Sequence, residues 1–319
     1  MKERHSRPEE YFMKKIIAFI LFLLFSFSLI SCENAESTEG ESFTDDLGRT
    51  VTVKKSERVA CLLGSYADLW MLAGGEVCAS ADDAFEDLAL SLPENTVNLG
   101  STHNPNAEAL LMAAPDLVFA SSKLSKHLEM KDRLEAAGIT VCYFDVADFA
   151  SYLRVLKIMT EMTGNSERYE QYGTEQEIRI ANLLEKRRNE EPQTVLVLRA
   201  SAQSIRAKNS DNTMLGGMLR DFGCVNIADK NGSLLENLSA ESILLQNPDK
   251  LFFIQAGDDM EAVKAAVYVM FAENPLWQQL DAVKNGKVYF MEKELFNLKP
   301  NARFYEAYEK LDRILYDET

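Results

Sequence analysis

"NAEALLMAAPDLVFA" (Asn106–Ala120) and "SAESILLQNPDKLFF" (Ser239–Phe253) superimpose at a constant offset of 133 residues. Glu108 falls on Glu241, Pro115 on Pro248, Asp116 on Asp249 and Phe119 on Phe252. Each copy opens on a good helix N-cap, Asn106 or Ser239, with an acid two positions on. A short apolar helix follows and a Pro-Asp pair ends it. An apolar run then reads as a buried strand, Leu117 to Ala120 in one copy and Leu251 to Ile254 in the other. A helix, a tight turn and a strand are one piece of an α/β layer architecture. Two copies predict two similar lobes.

The flanking sequence keeps the same alternation. "RVACLLG" (58–64), "VCAS" (77–80), "TVNLG" (96–100) and "TVCYFD" (140–145) read as strands. Helices are expected over about 66–73 and 125–137, the second closed by Gly138. "FTDDLGRTVTV" places a glycine turn before a short alternating strand. Residues 148–190 hold no strand-like run. Two helical pieces are expected there, broken at Gly164-Asn165, and the charged second piece, about 166–188, is placed to bridge two α/β blocks. "QTVLVLRA" (193–200) starts a fresh sheet. A helix from Met214 to Phe222, the run "CVNIA", helices near 259–271 and 276–280, the strand "GKVYFM" and a last helix from about Asn301 to Tyr316 follow. Short apolar strands alternating with helices indicate mostly parallel sheets.

The chain has 319 residues, 46% of them hydrophobic, which is enough for two domains with proper cores. Its net charge is −16; residues 1–31 carry five Lys or Arg against three Asp or Glu, so the remainder carries −18. A nucleic-acid partner is excluded on this balance, because phosphate backbones need clustered positive charge. "MKKIIAFILFLLFSFSLISC" (Met13–Cys32) has a basic start, an apolar stretch and small residues before the cysteine, the layout of a secretory signal. Its "LISC" resembles the lipobox of bacterial lipoproteins, which implies cleavage before Cys32 and a lipid on it. Residues 1–31 are therefore read as signal peptide, with Met13 a possible true start, and 32–42 as a lipidated flexible tether. Cys61, Cys78, Cys142 and Cys224 form no CxxC pair and are expected as four free, buried thiols.

The order of elements resembles the substrate-binding lipoproteins of ABC importers for ferric siderophores, haem and cobalamin. The resemblance covers nearly all of the mature chain. It rests on "FTDDLGRTVTVKKSERVACLL", "PNAEALLMAAPDLVFAS", "GCVNIA" and "LSAESILLQNPDKLFFI", in that order. It implies two Rossmann-like three-layer lobes, 43–164 and 191–319, joined by one long helix over 165–190, with the ligand cleft between the lobes. It implies a binding protein and no reaction, held on the outer face of the cell membrane by its lipid and monomeric when free. The importer permease is a dimer, and one acid per lobe docks against its arginines; Glu108 and Glu241 match those positions. No cofactor is expected.

Ligands of open parallel sheets sit beyond the carboxyl ends of the strands. Tyr66, His103 and Lys123 follow strands of the first lobe, with Asp82 and Asp83 after "VCAS"; Arg199, Arg206, Lys208, Gln255, Asn301, Lys299 and Arg303 follow strands of the second. The cations among them suit an anionic chelate such as a ferric siderophore or a haem propionate, with Arg206 and Arg303 the foremost pair. Tyr66 is placed to lie against an organic ligand or to cap the core. His103 is placed to reach the cleft, and His127 is expected exposed on a helix flank. A bare metal ion is disfavoured, since only these two histidines follow the leader. A Rossmann-like enzyme is disfavoured too: "LLGSYADLW" is no GxGxxG loop and no Ser/His/Asp set is suggested.

Overall fold

The computed structural model describes residues 40–257 and 259–317, so the signal peptide, Cys32 and most of the 32–42 tether lie outside the described residues. β1 (Glu41–Thr44) and β2 (Thr50–Val53) form an antiparallel hairpin turning at Gly48, whose φ of +75° suits a residue without Cβ. The Asp45 carboxylate accepts the N–H groups of Leu47 and Arg49 and pairs with the Arg49 guanidinium. Arg49 in turn lies 5.0 Å from the Tyr143 ring centre and donates to the Val141 carbonyl, which fastens the hairpin to the first lobe.

The first sheet is built from β3 (Val59–Cys61), β4 (Val77–Ser80), β5 (Val97–Asn98), β6 (Leu117–Ser121) and β7 (Thr140–Phe144). Its order is β5-β4-β3-β6-β7, all parallel. Helices α1 (Gly64–Leu72), α2 (Ala107–Met112), α3 (Ser125–Glu129) and α4 (Lys131–Ala136) intervene. The single helix expected over 125–137 is thus two, divided at Met130. Then α5 (Phe149–Thr163) starts on an Asp148–Ser151 capping box and stops at Gly164 (φ +69°). Next α6 (Ser166–Tyr169) passes through a π turn, Glu170–Thr174, into α7 (Glu175–Arg187). The π turn frees the Tyr172 carbonyl, which accepts from the Tyr152 hydroxyl and the Gln176 amide.

The second sheet holds β8 (Thr194–Ala200), β9 (Ile205–Lys208), β10 (Val225–Asn226), β11 (Lys250–Gln255) and β12 (Val288–Met291). β10-β8-β11-β12 are parallel, and β9 runs antiparallel to the carboxyl half of β8. Arg206 and Lys208 therefore lie on a strand, where a loop was expected. Helices α8 (Met214–Asp221), α9 (Gly232–Glu236), α10 (Ala240–Gln246), α11 (Met260–Glu273), α12 (Asp281–Lys284), α13 (Lys293–Phe296) and α14 (Phe304–Asp312) complete the lobe.

The repeated motif now has a physical reason. It delivers β6 and β11, each an interior strand paired on both sides and lying next to the first strand of its sheet, β3 or β8. Proline clashes with a preceding α-region residue, so the helix must stop ahead of Pro115 and Pro248. It does so through Ala114 (φ +47°) and Asn247 (φ +41°), again 133 apart. The Asp116 carboxylate accepts the Arg58 N–H and its own N–H donates to the Arg58 carbonyl. Asp249 does the same to Thr194, at 2.7 and 2.8 Å, and also accepts the Thr194 hydroxyl. Each aspartate clamps its strand to the first strand of its own sheet.

Side chains alternate across both sheets with period two. On the outer faces, Val118 and Ala120 belong to one apolar cluster and Leu196, Leu198, Leu251 and Phe253 to another. On the other faces Leu117, Phe119, Val195, Val197, Phe252 and Ile254 join a third cluster, and it is continuous from one lobe to the other through Tyr152, Ile180, Phe304 and Leu311. Polar links cross as well. Lys293 pairs with Asp87 at 2.7 Å, and Asn301 donates to the Ser65 carbonyl and the Asp68 carboxylate at 2.8 Å each. All four described cysteines are free; Cys61, Cys142 and Cys224 are buried, but Cys78 is partly exposed at the margin of the outer cluster.

Candidate ligand cleft

A cavity of about 360 Å³ opens beyond the carboxyl ends of both sheets and draws on both lobes. Lys123 and Asp145 enter from the first lobe, just past β6 and β7. Arg199, Lys208, Asn297 and Lys299 enter from the second. The segment Asp211–Met214 forms one wall, and it sits against the first turn of α8 because Gly216 has no side chain. A Cβ there would stand 2.6 Å from the Ser210 Cα. Two larger hollows, of about 620 and 840 Å³, each draw on one lobe alone.

Four of the lining residues are cations. Lys123 is neutralised by Asp145 at 3.2 Å, and the lining Asp211 by Arg220 outside the cavity. Arg199, Lys208 and Lys299 have no ion pair among the described residues. Lys299 lies 5.7 Å from the Tyr66 ring centre, and burial pulls its ammonium below the usual range while Asp145 and Asp83 push it back. Arg206 does not line the cavity, but it stands directly opposite Arg199 in the β8–β9 register. Opposed residues of an antiparallel pair share a face, and like charges so placed repel.

Beneath the cleft, Asp83 accepts the Gly64 N–H at 2.8 Å, and burial, with Asp82 and Asp87 nearby, raises its pKa to about 6. The native state holds this proton between about pH 4 and 6 while the unfolded state has released it, so this contribution to stability falls as pH rises through that window. Asp83→Asn keeps an acceptor for Gly64. Chemical denaturation of this variant is expected to show about 1 kcal/mol more stability at neutral pH and a flatter profile between pH 4 and 6. A wild-type profile already flat there would contradict it.

Several residues lie elsewhere than the sequence suggests. Arg303 is outside the cleft: its guanidinium holds both Glu306 oxygens at 2.7 Å in the 620 Å³ hollow, one helical turn along the same face. Tyr66 is fully buried and donates to the Phe144 carbonyl at 2.7 Å, so it floors Lys299 and faces no ligand. Gln255 is buried and donates to the Gly257 carbonyl. Asn301 is wholly buried. His103 is exposed beside Thr102 and does not line the cavity. His127, expected exposed, is buried: its Nδ1 accepts the Ser121 N–H at 3.0 Å and its Nε2 faces the Thr102 carbonyl at 2.8 Å. That pattern is a neutral ring with its proton on Nε2, and burial keeps its pKa below the ordinary value. Asp145, Asp211 and Met214 were missed; Asp145 carried a signal, since it follows the strand "TVCYF" directly.

A family described as "Periplasmic binding protein" matches residues 59–295, most of the chain. The chain belongs to this family. The periplasmic binding protein family accounts for the two lobes and for a cleft that holds a ligand. Among its relatives, the "Fe(3+)-citrate-binding protein YfmC" of Bacillus subtilis is 23% identical over 301 residues, covering 89% of this chain and 91% of that protein. Two solved Staphylococcus aureus structures share the fold. SirA complexed with staphyloferrin B superimposes with a TM-score of 0.64 at 21% identity, over 87% of this chain and 97% of that one. IsdE complexed with heme gives 0.66 at 18% identity, over 82% and 99%.

Proposed function

We propose that this chain is the substrate-binding component of an ABC importer and that its cleft captures an anionic ferric chelate. The Arg199–Arg206 pair carries this reading. Arg199 lines the cleft and Arg206 is its register partner on the neighbouring strand; neither has a carboxylate partner among the described residues, an anion would relieve their repulsion, and guanidinium forks match carboxylate oxygens. The charge is local, because the chain as a whole carries −16. The relative that binds ferric citrate supports the same class. Haem is the second reading. The Met214 thioether on the cleft wall is a residue type that ligates haem iron, and the same cations suit its propionates.

A thermal-shift comparison of ferric citrate, iron-free citrate, haem and cobalamin tests this. The proper ligand at a hundredfold excess over its Kd stabilises by about 2.7 kcal/mol. A ferric chelate is expected to do so and cobalamin to do nothing; a response to cobalamin alone would overturn the anionic reading.

In the same reading the protein is a monomer tethered by a lipid on Cys32 to the outer face of the membrane, and Glu108 and Glu241 dock on the permease dimer. Among the described residues no helix is long and apolar enough to cross a membrane. Metabolic labelling with a fatty acid is expected to mark the wild-type protein and not Cys32→Ser; an unlabelled wild type that keeps its leader would make the leader a true span and defeat the lipoprotein reading.

A further inference from the structure

Met112 and Leu245 are 87% and 88% exposed, whereas no other large apolar side chain among the described residues exceeds 59%. They too are 133 residues apart, so they occupy one position of the repeated motif. Single exposed apolar residues are ordinary. Two at the same place in a duplicated element, each far more exposed than any other, call for a shared cause. Glu108 stands four residues before Met112, and Glu241 four before Leu245, so each acid and each apolar side chain share one helical face. Both acids are exposed, and neither has an ion pair among the described residues. A helix leading into a parallel strand runs opposite to it, so both faces start at the carboxyl edge of their sheets, as the cleft does.

We infer that each lobe docks through a two-part stud, an acid and an apolar side chain one turn apart, and that the occupant is a permease of two equivalent subunits. Each subunit would present a basic residue beside an apolar hollow. This rests on the docking reading above and adds to it a component that salt does not screen. The charges exclude other occupants. A second copy would set Glu against Glu, and an anionic lipid surface would meet Glu108 together with Asp82 and Glu86 on the adjoining hollow, three acids against the one cation described there, Arg133. A duplicated stud fits a duplicated partner.

The test uses the full-length protein in liposomes with the permease–ATPase complex of its importer, and reads the half-saturating concentration for ATPase stimulation at low and high salt. Met112→Ser and Leu245→Ser are each expected to raise it about tenfold, and the double variant about a hundredfold, equally at both salt levels. Glu108→Ala with Glu241→Ala is expected to cost most at low salt and less at high salt. Met112→Leu and Leu245→Met should behave as wild type, and all variants should keep the wild-type melting midpoint. If the serine pair docks normally while the alanine pair does not, the apolar component is refuted and acid docking stands. If both pairs dock normally, the docking reading itself fails. A wild-type dimer in light scattering that Leu245→Ser dissolves would assign the studs to a second copy and overturn the proposal.

Discussion

Arg199→Ala combined with Arg206→Ala weakens binding of the chelate identified by thermal shift by about a hundredfold or more, measured by isothermal titration. Truncating one partner of a desolvated, hydrogen-bonded charge pair costs ~2–5 kcal/mol. In the proposed reading Arg199 lines the cleft and Arg206 reaches the same anion from the opposed strand, so their losses overlap and the double variant falls short of the sum. Folding should change little or improve slightly, because removing opposed like charges from the β8–β9 pair relieves repulsion. Arg199→Lys keeps the charge but not the planar fork, and should lie between wild type and alanine. Binding within threefold of wild type in the double variant would place the anion elsewhere in the cleft.

Asn301→Ala is expected to cost about 3 kcal/mol of stability, a drop of several degrees in the melting midpoint. Asn301 is wholly buried with φ +48°, a conformation asparagine tolerates better than alanine. Its amide is the hydrogen-bond partner of the Asp68 carboxylate, whose pKa burial raises and Asn301 pulls back down. It also serves the Ser65 carbonyl, while its backbone carbonyl, which either variant keeps, accepts from Gln176 just past the π turn. Alanine leaves a half-buried carboxyl and a buried carbonyl without this donor. Asn301→Gly relieves the backbone but loses the same bonds, so it should recover only part of the loss. A midpoint unchanged in both variants would mean that the polar link between α1, α7 and the last helix adds nothing to stability.

Most strands were legible because buried parallel strands read as apolar runs bounded by turn residues, and the twin motif marked an interior strand of each sheet. Lys123, Arg199, Lys208 and Lys299 could be found from one rule, that ligands sit past carboxyl ends of strands. The rule names positions, not side-chain directions. It selected Arg303, whose direction is set by Glu306 three residues along, and Tyr66, which helix phase turns into the core. His127 looked like a flank residue on a helix of 13; the break at Met130 changes that helix's path, and the Ser121 and Thr102 backbones claim both ring nitrogens. The Arg199–Arg206 opposition depended on a strand reversal at Ser201–Ser204, held by serine hydroxyl bonds without the glycine or Asn-Gly signal a hairpin usually shows.

The apolar cluster that runs unbroken from one sheet to the other bears on how the protein can be made and divided. A gene cut between the lobes would give two fragments, each with part of this cluster bared to water: Phe149 and Tyr152 on one and Phe304 on the other, whose rings lie 5.0 Å apart across the cut. Such fragments would stick together or precipitate, and neither would serve as a small stand-alone chelate sensor. Lobe exchange between relatives meets the same obstacle, because the grafted half must match a foreign surface at close-packed density. A probe of iron chelates built on this scaffold would do better to keep the chain whole and place its reporter at the rim of the cleft.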